Sequence, residues 1–318
     1  MKATLSRRAF LQLCMASMAA GFLPGCRPRP SPPKPTSTTP KNTPIPTPVV
    51  TPTVLQRTPV TLPGTDTWKI TSGIVVKQEY QISVNLPDSY GAGNRFPVLY
   101  VTDGNENFPL VRTIYRELRD ENKIPEMLLI GIGYPTDNWS AIQDLRARDF
   151  TPFAYTPPYS GSPQQGFTRG TGGAPQFLRF IGDELRPVIE AQYATRPDDT
   201  TLLGHSLGGL FTLYALFQRP GMFKRLVVGS PSIWWADAAI FGTEKAYADS
   251  HTDLAAHLYM GAGSEEGEVT ADVKTMTDTL QQRKYSSLDL VTQIFEGESH
   301  VSVIPFYISR GLRAVNSR

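Results

Sequence analysis

Cysteine is almost absent from this 318-residue sequence, which contains only Cys14 and Cys26. Both lie near the amino terminus, so the rest of the chain cannot be cross-linked by disulfides. The same scarcity excludes a catalytic thiol and cysteine metal sites from that part of the chain. A domain built there has to be stable through its own hydrophobic core, which a chain of this length can supply.

Acidic residues are absent from the first 64 positions. Eight of the 31 lysines and arginines, but none of the 29 acidic residues, lie there, which leaves residues 65–318 with a net charge of about −6. Binding phosphates requires clustered positive charge, so this balance argues against a nucleic-acid partner.

The uncharged stretch Ala9–Leu23 is too short to span a bilayer and follows the arginine pair Arg7 and Arg8. It predicts an export signal over residues 1–25, and S-R-R-A-F-L resembles the twin-arginine pattern. The following Leu-Pro-Gly-Cys resembles a lipobox, which predicts a lipid anchor at Cys26 and a folded domain outside the cytoplasm. The alternative is a simple secretory signal cut near Gly25, which would leave a free protein.

Residues 26–64 are predicted to form a tether. Twelve prolines and nine threonines lie between Arg27 and Pro63, and such a composition cannot bury enough apolar surface to offset the entropy of ordering. We expect an extended, semi-rigid stalk.

Apolar runs alternate with helical patterns from about Trp68, which is typical of one α/β domain over residues 65–318 with a mostly parallel sheet and helices on both faces. The first two predicted strands form an antiparallel pair. Residues 141–173 show no clear periodicity and are predicted to be an irregular, functional loop. The expected strands are Ile74–Val76, Tyr80–Leu86, Phe96–Val101, Met127–Ile132, Thr200–Leu203, Leu226–Val228, Ala256–Met260 and Leu288–Phe295, with helices over Ala174–Tyr193 and Ser302–Val315.

The sequence Gly-His-Ser-Leu-Gly at 204–208 stands between a predicted strand and a predicted helix. This is G-x-S-x-G in the context of a nucleophile elbow, where a tight turn exposes the serine. The amide end of the helix faces Ser206, so negative charge developing on a substrate oxygen would be stabilised there. The pattern predicts Ser206 as a nucleophile.

A serine hydroxyl needs a base, and histidine is the usual one at neutral pH. Of the four histidines, His205 should point away from the serine, His257 lies within a predicted strand and His251 lies in a polar loop. His300 directly follows the last predicted strand, on the sheet edge where the elbow also lies. We therefore expect His300 to be the base.

The acid that orients the base should follow the strand ending at Met260, because the chain order in this fold class is Ser, acid, His. Glu266 is the first candidate there and Glu265 the alternative.

The second oxyanion donor, beside the Leu207 N–H, is expected from the Asn105 N–H or alternatively from that of Gly104. The neighbouring Asp103 is expected to order the loop.

Six motifs in order resemble the esterase D-like, putative-esterase branch of the α/β hydrolases, which contains ferri-siderophore trilactone hydrolases and predicted surface hydrolases. The resemblance covers about residues 65–318. It implies an α/β-hydrolase fold and a serine esterase whose site lies under irregular loops, and it supports the roles given to Ser206, His300 and a glutamate. The motifs are Pro97–Tyr100 leading into Asp103–Gly104, Arg148–Pro152, Thr171–Ala174, Gly204–Gly209, Ser230–Trp235 and Gly297–His300.

Four side chains are candidates for substrate binding. Trp234 and Trp235 are expected to line an aromatic pocket, unless at least one of them is core, and Tyr155 belongs to the 141–173 loop together with Tyr159 and Phe167. Arg148 is expected either to meet an anionic substrate group or to pair with Asp149 or another loop carboxylate.

The sequence thus predicts an exported carboxylic ester hydrolase that forms an acyl-enzyme on Ser206 and acts on siderophore trilactones or other small esters. No metal or other cofactor is expected, and the membrane is expected as a partner only through Cys26. The alternatives are an acyltransferase of the cell envelope with the same fold and a tethered binding protein without activity. The sequence indicates no oligomeric state.

Overall fold

The computed structural model describes residues 61–91, 93–155 and 167–317. The strands are β1 (Thr65–Thr71), β2 (Glu79–Asn85), β3 (Phe96–Val101), β4 (Leu128–Gly133), β5 (Thr195–His205), β6 (Arg225–Gly229), β7 (Ala256–Gly263) and β8 (Leu288–Phe295). The helices are α1 (Gly104–Asp120), α2 (Trp139–Phe150), α3 (Ala174–Arg179), α4 (Arg186–Gln192), α5 (Leu207–Gln218), α6 (Trp235–Ala238), α7 (Ile240–Ser250), α8 (Glu268–Arg283) and α9 (Ile304–Asn316). A π-helical turn, Phe180–Leu185, joins α3 to α4, and a 3₁₀ turn, Ser264–Glu266, precedes α8.

The eight strands form one mixed sheet in the order β1-β2-β4-β3-β5-β6-β7-β8. β1, β2 and β4 pair antiparallel, whereas the strands from β4 through β3 to β8 pair parallel. The carboxyl ends of these parallel strands therefore lie along one edge of the sheet. Loops that follow parallel strands at this edge are the usual place for a binding site in such folds.

The core on one face of the sheet is formed by α1 and α9. Apolar side chains of α1 recur at Phe108, Val111, Tyr115 and Leu118, the spacing of one helical face, and all are buried. They pack with residues of β3, β5 and β6 and with the buried face of α9. Helix α5 contacts β5 and β6 and also α2, α3 and α7, and every residue of it except Gln218 is buried. The fold is thus the mostly parallel α/β architecture that the sequence predicts.

Two predictions about secondary structure are wrong. Ile74–Val76 lies in the turn between β1 and β2 rather than in a strand, and Val76 is 76% exposed; the antiparallel partner of β2 is instead β1. Residues 141–173 are not wholly irregular, because α2 covers the first part of them. The apolar spacing of α2 is weak, since its helical face also buries Asp149.

The folded unit begins slightly before residue 65. Leu62 packs against the core, and the carbonyl groups of Pro63 and Gly64 accept hydrogen bonds from Arg112 Nη2 and Asn85 Nδ2, respectively. The last residues assigned to the tether therefore belong to the domain.

The predicted export signal, Cys26 and the tether up to residue 60 lie outside the described residues, as does Tyr159. Among the helices within the described ranges, none has the length and apolar character needed to cross a bilayer.

Candidate active site

The nucleophile elbow has the backbone geometry that its glycine pattern predicts. Ser206 stands between the last residue of β5 and the first residue of α5, with φ 59° and ψ −119°. A non-glycine residue rarely adopts such angles, and holding one there costs roughly 1–3 kcal/mol. The strain is maintained by neighbouring hydrogen bonds: the Ser206 N–H donates to the Gly229 carbonyl at 2.9 Å, and the Leu210 N–H donates to the Ser206 carbonyl at 3.0 Å.

The glycines around Ser206 are required by close backbone approaches. A Cβ at Gly204 would lie 2.1 Å from the Gly208 carbonyl oxygen, and a Cβ at Gly208 would lie 2.5 Å from Thr102 Oγ1. Both distances are shorter than any normal contact. Strand β5 can therefore approach helix α5 only because Gly204 has no side chain, and α5 can approach Thr102, which follows β3, only because Gly208 has none.

His300 and Glu266 are hydrogen-bonded to each other. His300 Nδ1 donates to Glu266 Oε2 at 2.6 Å, and the Glu266 carboxylate is buried. The other oxygen, Oε1, accepts from Ser230 Oγ at 2.7 Å and from the Gly263 N–H at 2.5 Å. Glu265, the alternative candidate, has an exposed side chain. Of the two glutamates, Glu266 is the one that the structure brings to the histidine.

The histidine lies beside the elbow. The His300 ring centroid is 4.7 Å from that of His205, the residue that immediately precedes Ser206. Ser206, Glu266 and His300 follow β5, β7 and β8 in the chain and meet at the carboxyl edge of the sheet. The structure thus assembles the three predicted residues in one place.

His205 is a buried neighbour of His300. Its ring stacks on Tyr307, with centroids 5.5 Å apart and an interplanar angle of 9°. Burial lowers the pKa of His205 well below its usual value, and the charges of His300 and Arg146 lower it further, while a hydrogen bond to the His300 backbone acts in the opposite direction. His205 is therefore neutral near pH 7.

The predicted oxyanion donors stand at two helix starts. Leu207 is the first residue of α5, and Asn105 is the second residue of α1; N–H groups in a first helical turn have no acceptor within the helix. The Asn105 side chain fixes its loop on the segment after β4, because Oδ1 accepts from the Tyr134 N–H at 2.7 Å and Nδ2 donates to the Tyr134 carbonyl at 2.8 Å. Gly104, the alternative donor, packs so closely that a Cβ would lie 2.8 Å from the Ile132 backbone.

Asp103 orders this loop, as the sequence suggested, through a partner that the sequence analysis missed. Arg146 donates to both carboxylate oxygens of Asp103, at 2.8 and 3.0 Å, and both side chains are mostly buried. Asp103 itself has a left-handed backbone, with φ 53°. Arg146 lies in α2, within the stretch that the sequence predicts to be irregular. The sequence therefore provided no helical face on which Arg146 could be placed.

Arg148 forms the ion pair that the sequence analysis named as its alternative. Its guanidinium donates to both oxygens of Asp149, at 2.7 and 2.9 Å. Tyr80 and Tyr134 also donate to Asp149, at 2.9 and 3.1 Å. Burial raises the pKa of Asp149, and these donors oppose that shift. A substrate contact for Arg148 stays a prediction.

The two tryptophans differ in burial. Trp235 is core, as one of the pair was expected to be, and its Nε1 donates to the Phe153 carbonyl at 2.9 Å. Trp234 and Tyr155 are partly exposed, and the Tyr155 ring meets Trp235 edge-on at 5.4 Å between centroids. Phe167 lies 6.2 Å from the same ring and is 36% exposed. These side chains form an aromatic cluster (Tyr155, Phe167, Trp234 and Trp235) in the segment after β6 and the loop after α2.

Two serines at the site were not singled out by the sequence analysis. Ser230 donates to Glu266, and Ser232 Oγ lies 3.3 Å from Ser206 Oγ. The available signal was Ser230-Pro231-Ser232, which the family resemblance quoted only as a motif. The structure shows that Ser232 contacts Ser206, 26 positions away in the chain, and that Ser230 contacts Glu266, 36 positions away.

The family model described as "Putative esterase" matches residues 74–302. The chain belongs to this family. The esterase is 29% identical to the ferri-bacillibactin esterase BesA of Bacillus subtilis, over 80% of this chain and 90% of that protein. It is 30% identical to the siderophore triacetylfusarinine C esterase of Aspergillus fumigatus, over 80% of this chain and 94% of that one.

A solved structure agrees with the sequence relatives. The crystal structure of the BES protein from Bacillus cereus is 28% identical and superposes with a TM-score of 0.73, covering 82% of this chain and 99% of its own. The α/β-hydrolase fold and the activity class expected from the sequence are thereby confirmed: the esterase is a carboxylic ester hydrolase.

Proposed function

We propose that the esterase hydrolyses its substrate through an acyl-enzyme on Ser206, with His300 as base and then acid and Glu266 orienting His300. The observation that carries this proposal is the 2.6 Å hydrogen bond from His300 Nδ1 to the buried Glu266, beside the strained Ser206. A carboxylate at Nδ1 leaves Nε2 free to accept a proton and stabilises the imidazolium that results.

The reaction has two halves. Ser206 Oγ attacks the ester carbon as its proton passes to His300 Nε2, and the carbonyl electron pair moves to the oxygen, which the N–H groups of Leu207 and Asn105 stabilise. Collapse expels the alcohol, which takes the proton from His300. Water then repeats the sequence on the acyl-enzyme and releases the acid and the free serine.

For the substrate, we propose a siderophore trilactone or a similar small polyester. The support is the agreement of two relatives whose names specify siderophore esters. The aromatic cluster supports the same choice, because partly exposed rings can stack on the aryl or acyl groups of such molecules.

The mechanism is tested by measuring hydrolysis of p-nitrophenyl butyrate and of an iron-loaded trilactone by the wild type and by Ser206→Ala. We expect the variant to lose at least about 10³-fold in kcat on both esters while its melting temperature stays within a few degrees. Undiminished turnover would contradict the mechanism. Rapid butyrate cleavage together with an untouched trilactone would contradict only the choice of substrate.

We also propose that the esterase is exported and held at the cell envelope by a lipid on Cys26. The support is the sequence of residues 6–11 and 23–26 alone. The mature chain should begin at an acylated Cys26, and Cys26→Ser should release the enzyme from the membrane fraction. A mass spectrum that shows an unmodified amino terminus near Gly25 would contradict the anchor.

A further inference from the structure

The segment Ser230–Pro231–Ser232 lies between β6 and α6 and contacts Ser206 through Ser232. Ser232 Oγ lies 3.3 Å from Ser206 Oγ, and the Ser232 N–H donates to the Ser206 carbonyl at 3.1 Å. Ser232 is only 2% exposed, so water does not compete for its hydroxyl. These two contacts hold the hydroxyl of Ser232 at the reacting oxygen.

We propose that Ser232 is a further catalytic residue, which donates a hydrogen bond to Ser206 Oγ while that oxygen forms and breaks its bond to the acyl carbon. The inference rests on the acyl-enzyme mechanism proposed above and adds a group that touches the reacting atom.

The direction of this hydrogen bond follows from the inventory of a serine hydroxyl, which has one proton and two lone pairs. The single proton of Ser206 must point at His300 Nε2 to be transferred. One lone pair attacks the carbonyl carbon, and the other can accept from a donor. Ser232 is therefore the donor in the reactive arrangement.

A donor at this position acts on the transition state more than on the ground state. As the Ser206 proton moves to His300, negative charge accumulates on Oγ before it is taken up by the new bond to carbon. A hydrogen bond to a charged oxygen is stronger than one to a neutral hydroxyl, so Ser232 stabilises that charge and keeps its own proton throughout. The same holds when Oγ leaves the acyl carbon during deacylation, since the acyl–oxygen bond breaks as the proton returns.

Ser230, two residues earlier, serves a different atom. Its hydroxyl donates to Glu266 Oε1 at 2.7 Å, and its N–H donates to the Gly261 carbonyl at 2.7 Å. The segment thus supports the acid through one serine and the nucleophile through the other. Only the second contact would act directly on the reacting oxygen.

The test compares Ser232→Ala and Ser232→Cys with the wild type. Cysteine has nearly the shape of serine but is a weak donor, so it keeps the proposal testable if the alanine variant folds poorly. We expect both variants to react with a fluorophosphonate probe roughly 10- to 100-fold more slowly than the wild type does. Acylation of both variants by p-nitrophenyl butyrate should be slowed by the same factor. KM should change little, and the midpoint of the pH–rate profile should not move, because the pair of His300 and Glu266 is intact.

The matched control is Ser72→Ala, which removes an equally buried serine hydroxyl that donates to Glu184 Oε2 at 2.6 Å. This variant should react at the wild-type rate. If Ser206→Ala is inactive while both Ser232 variants react as fast as the wild type, the role of Ser232 is overturned and the mechanism stands. If Ser206→Ala itself remains active, the mechanism fails and the role of Ser232 fails with it.

Discussion

His300 Nδ1 and Glu266 Oε2 lie 2.6 Å apart, and the carboxylate has no more than 1% of its surface exposed. A buried carboxylate in this position holds the imidazole in the tautomer whose Nε2 can accept a proton. The relationship also separates Glu266 from its neighbour Glu265, whose side chain faces solvent.

The first prediction concerns this pair. Glu266→Gln should lower kcat for p-nitrophenyl butyrate by roughly 10²- to 10⁴-fold, because an amide cannot hold the productive tautomer or stabilise the imidazolium. Glu265→Gln makes the same chemical change one residue earlier and should stay within about twofold of the wild type. Equal losses in the two variants, measured by steady-state kinetics, would contradict the assignment of the acid.

The second prediction concerns the glycines. Gly204→Ala should destabilise the protein by more than about 3 kcal/mol or prevent folding, because its Cβ would lie 2.1 Å from the Gly208 carbonyl oxygen. Gly242 in α7 has no heavy atom within 4 Å of the corresponding position, and Gly242→Ala should stabilise by up to about 1 kcal/mol. Urea unfolding measures both, and a Gly204→Ala protein as stable as the wild type would argue against the close approach of β5 and α5.

The third prediction tests the role of Arg148. Arg148→Met leaves Asp149 buried without its counter-charge, so the free energy of unfolding should fall by about 3 kcal/mol or more. KM for an uncharged ester should not change. Arg169→Met removes an exposed arginine 4.0 Å from Asp144 and should cost less than about 0.5 kcal/mol. A variant of Arg148 with normal stability but a raised KM for an anionic ester would instead assign this side chain to the substrate.

The fourth prediction is a pH dependence of stability. Because the pKa of His205 is lowered in the folded protein, the unfolded chain binds more protons there once the pH falls below about 6.5. Stability is therefore lost as the pH falls from about 6.5 toward the folded pKa, by up to about 1.4 kcal/mol per pH unit. His205→Phe keeps the stacking on Tyr307 and should lose less stability between pH 7 and 5. Urea unfolding at several pH values checks this, and parallel curves for the two proteins would contradict it.

The sequence could predict those parts of the site that depend on residues close together in the chain. The elbow is local: a strand, a turn and a helix are encoded within residues 195–218, and the glycine positions follow from backbone sterics. The predicted strand Phe96–Val101 matches β3, and the predicted helix Ala174–Tyr193 covers α3, the π-helical turn and α4. The strand expected at Ile74–Val76 failed because three apolar residues show too little periodicity to separate a turn from a strand.

The sequence named Glu266 first and Glu265 as its alternative, but it holds no feature that decides between adjacent glutamates. Glu265 and Glu266 share one short 3₁₀ turn and the same chemistry, and only the packing of that turn buries one of them against Ser230 and Gly263. The same limit applies to the pairing of Arg146 with Asp103, which are 43 residues apart. The sequence alone therefore determined the fold class and predicted Ser206 and His300 as nucleophile and base, because each prediction depends on local backbone rules and on the order of strands along the chain. Only the tertiary structure decided which glutamate contacts His300, which hydroxyls contact Glu266 and Ser206, and which ion pairs form beside them, because those depend on which distant side chains the sheet edge brings within hydrogen-bond distance.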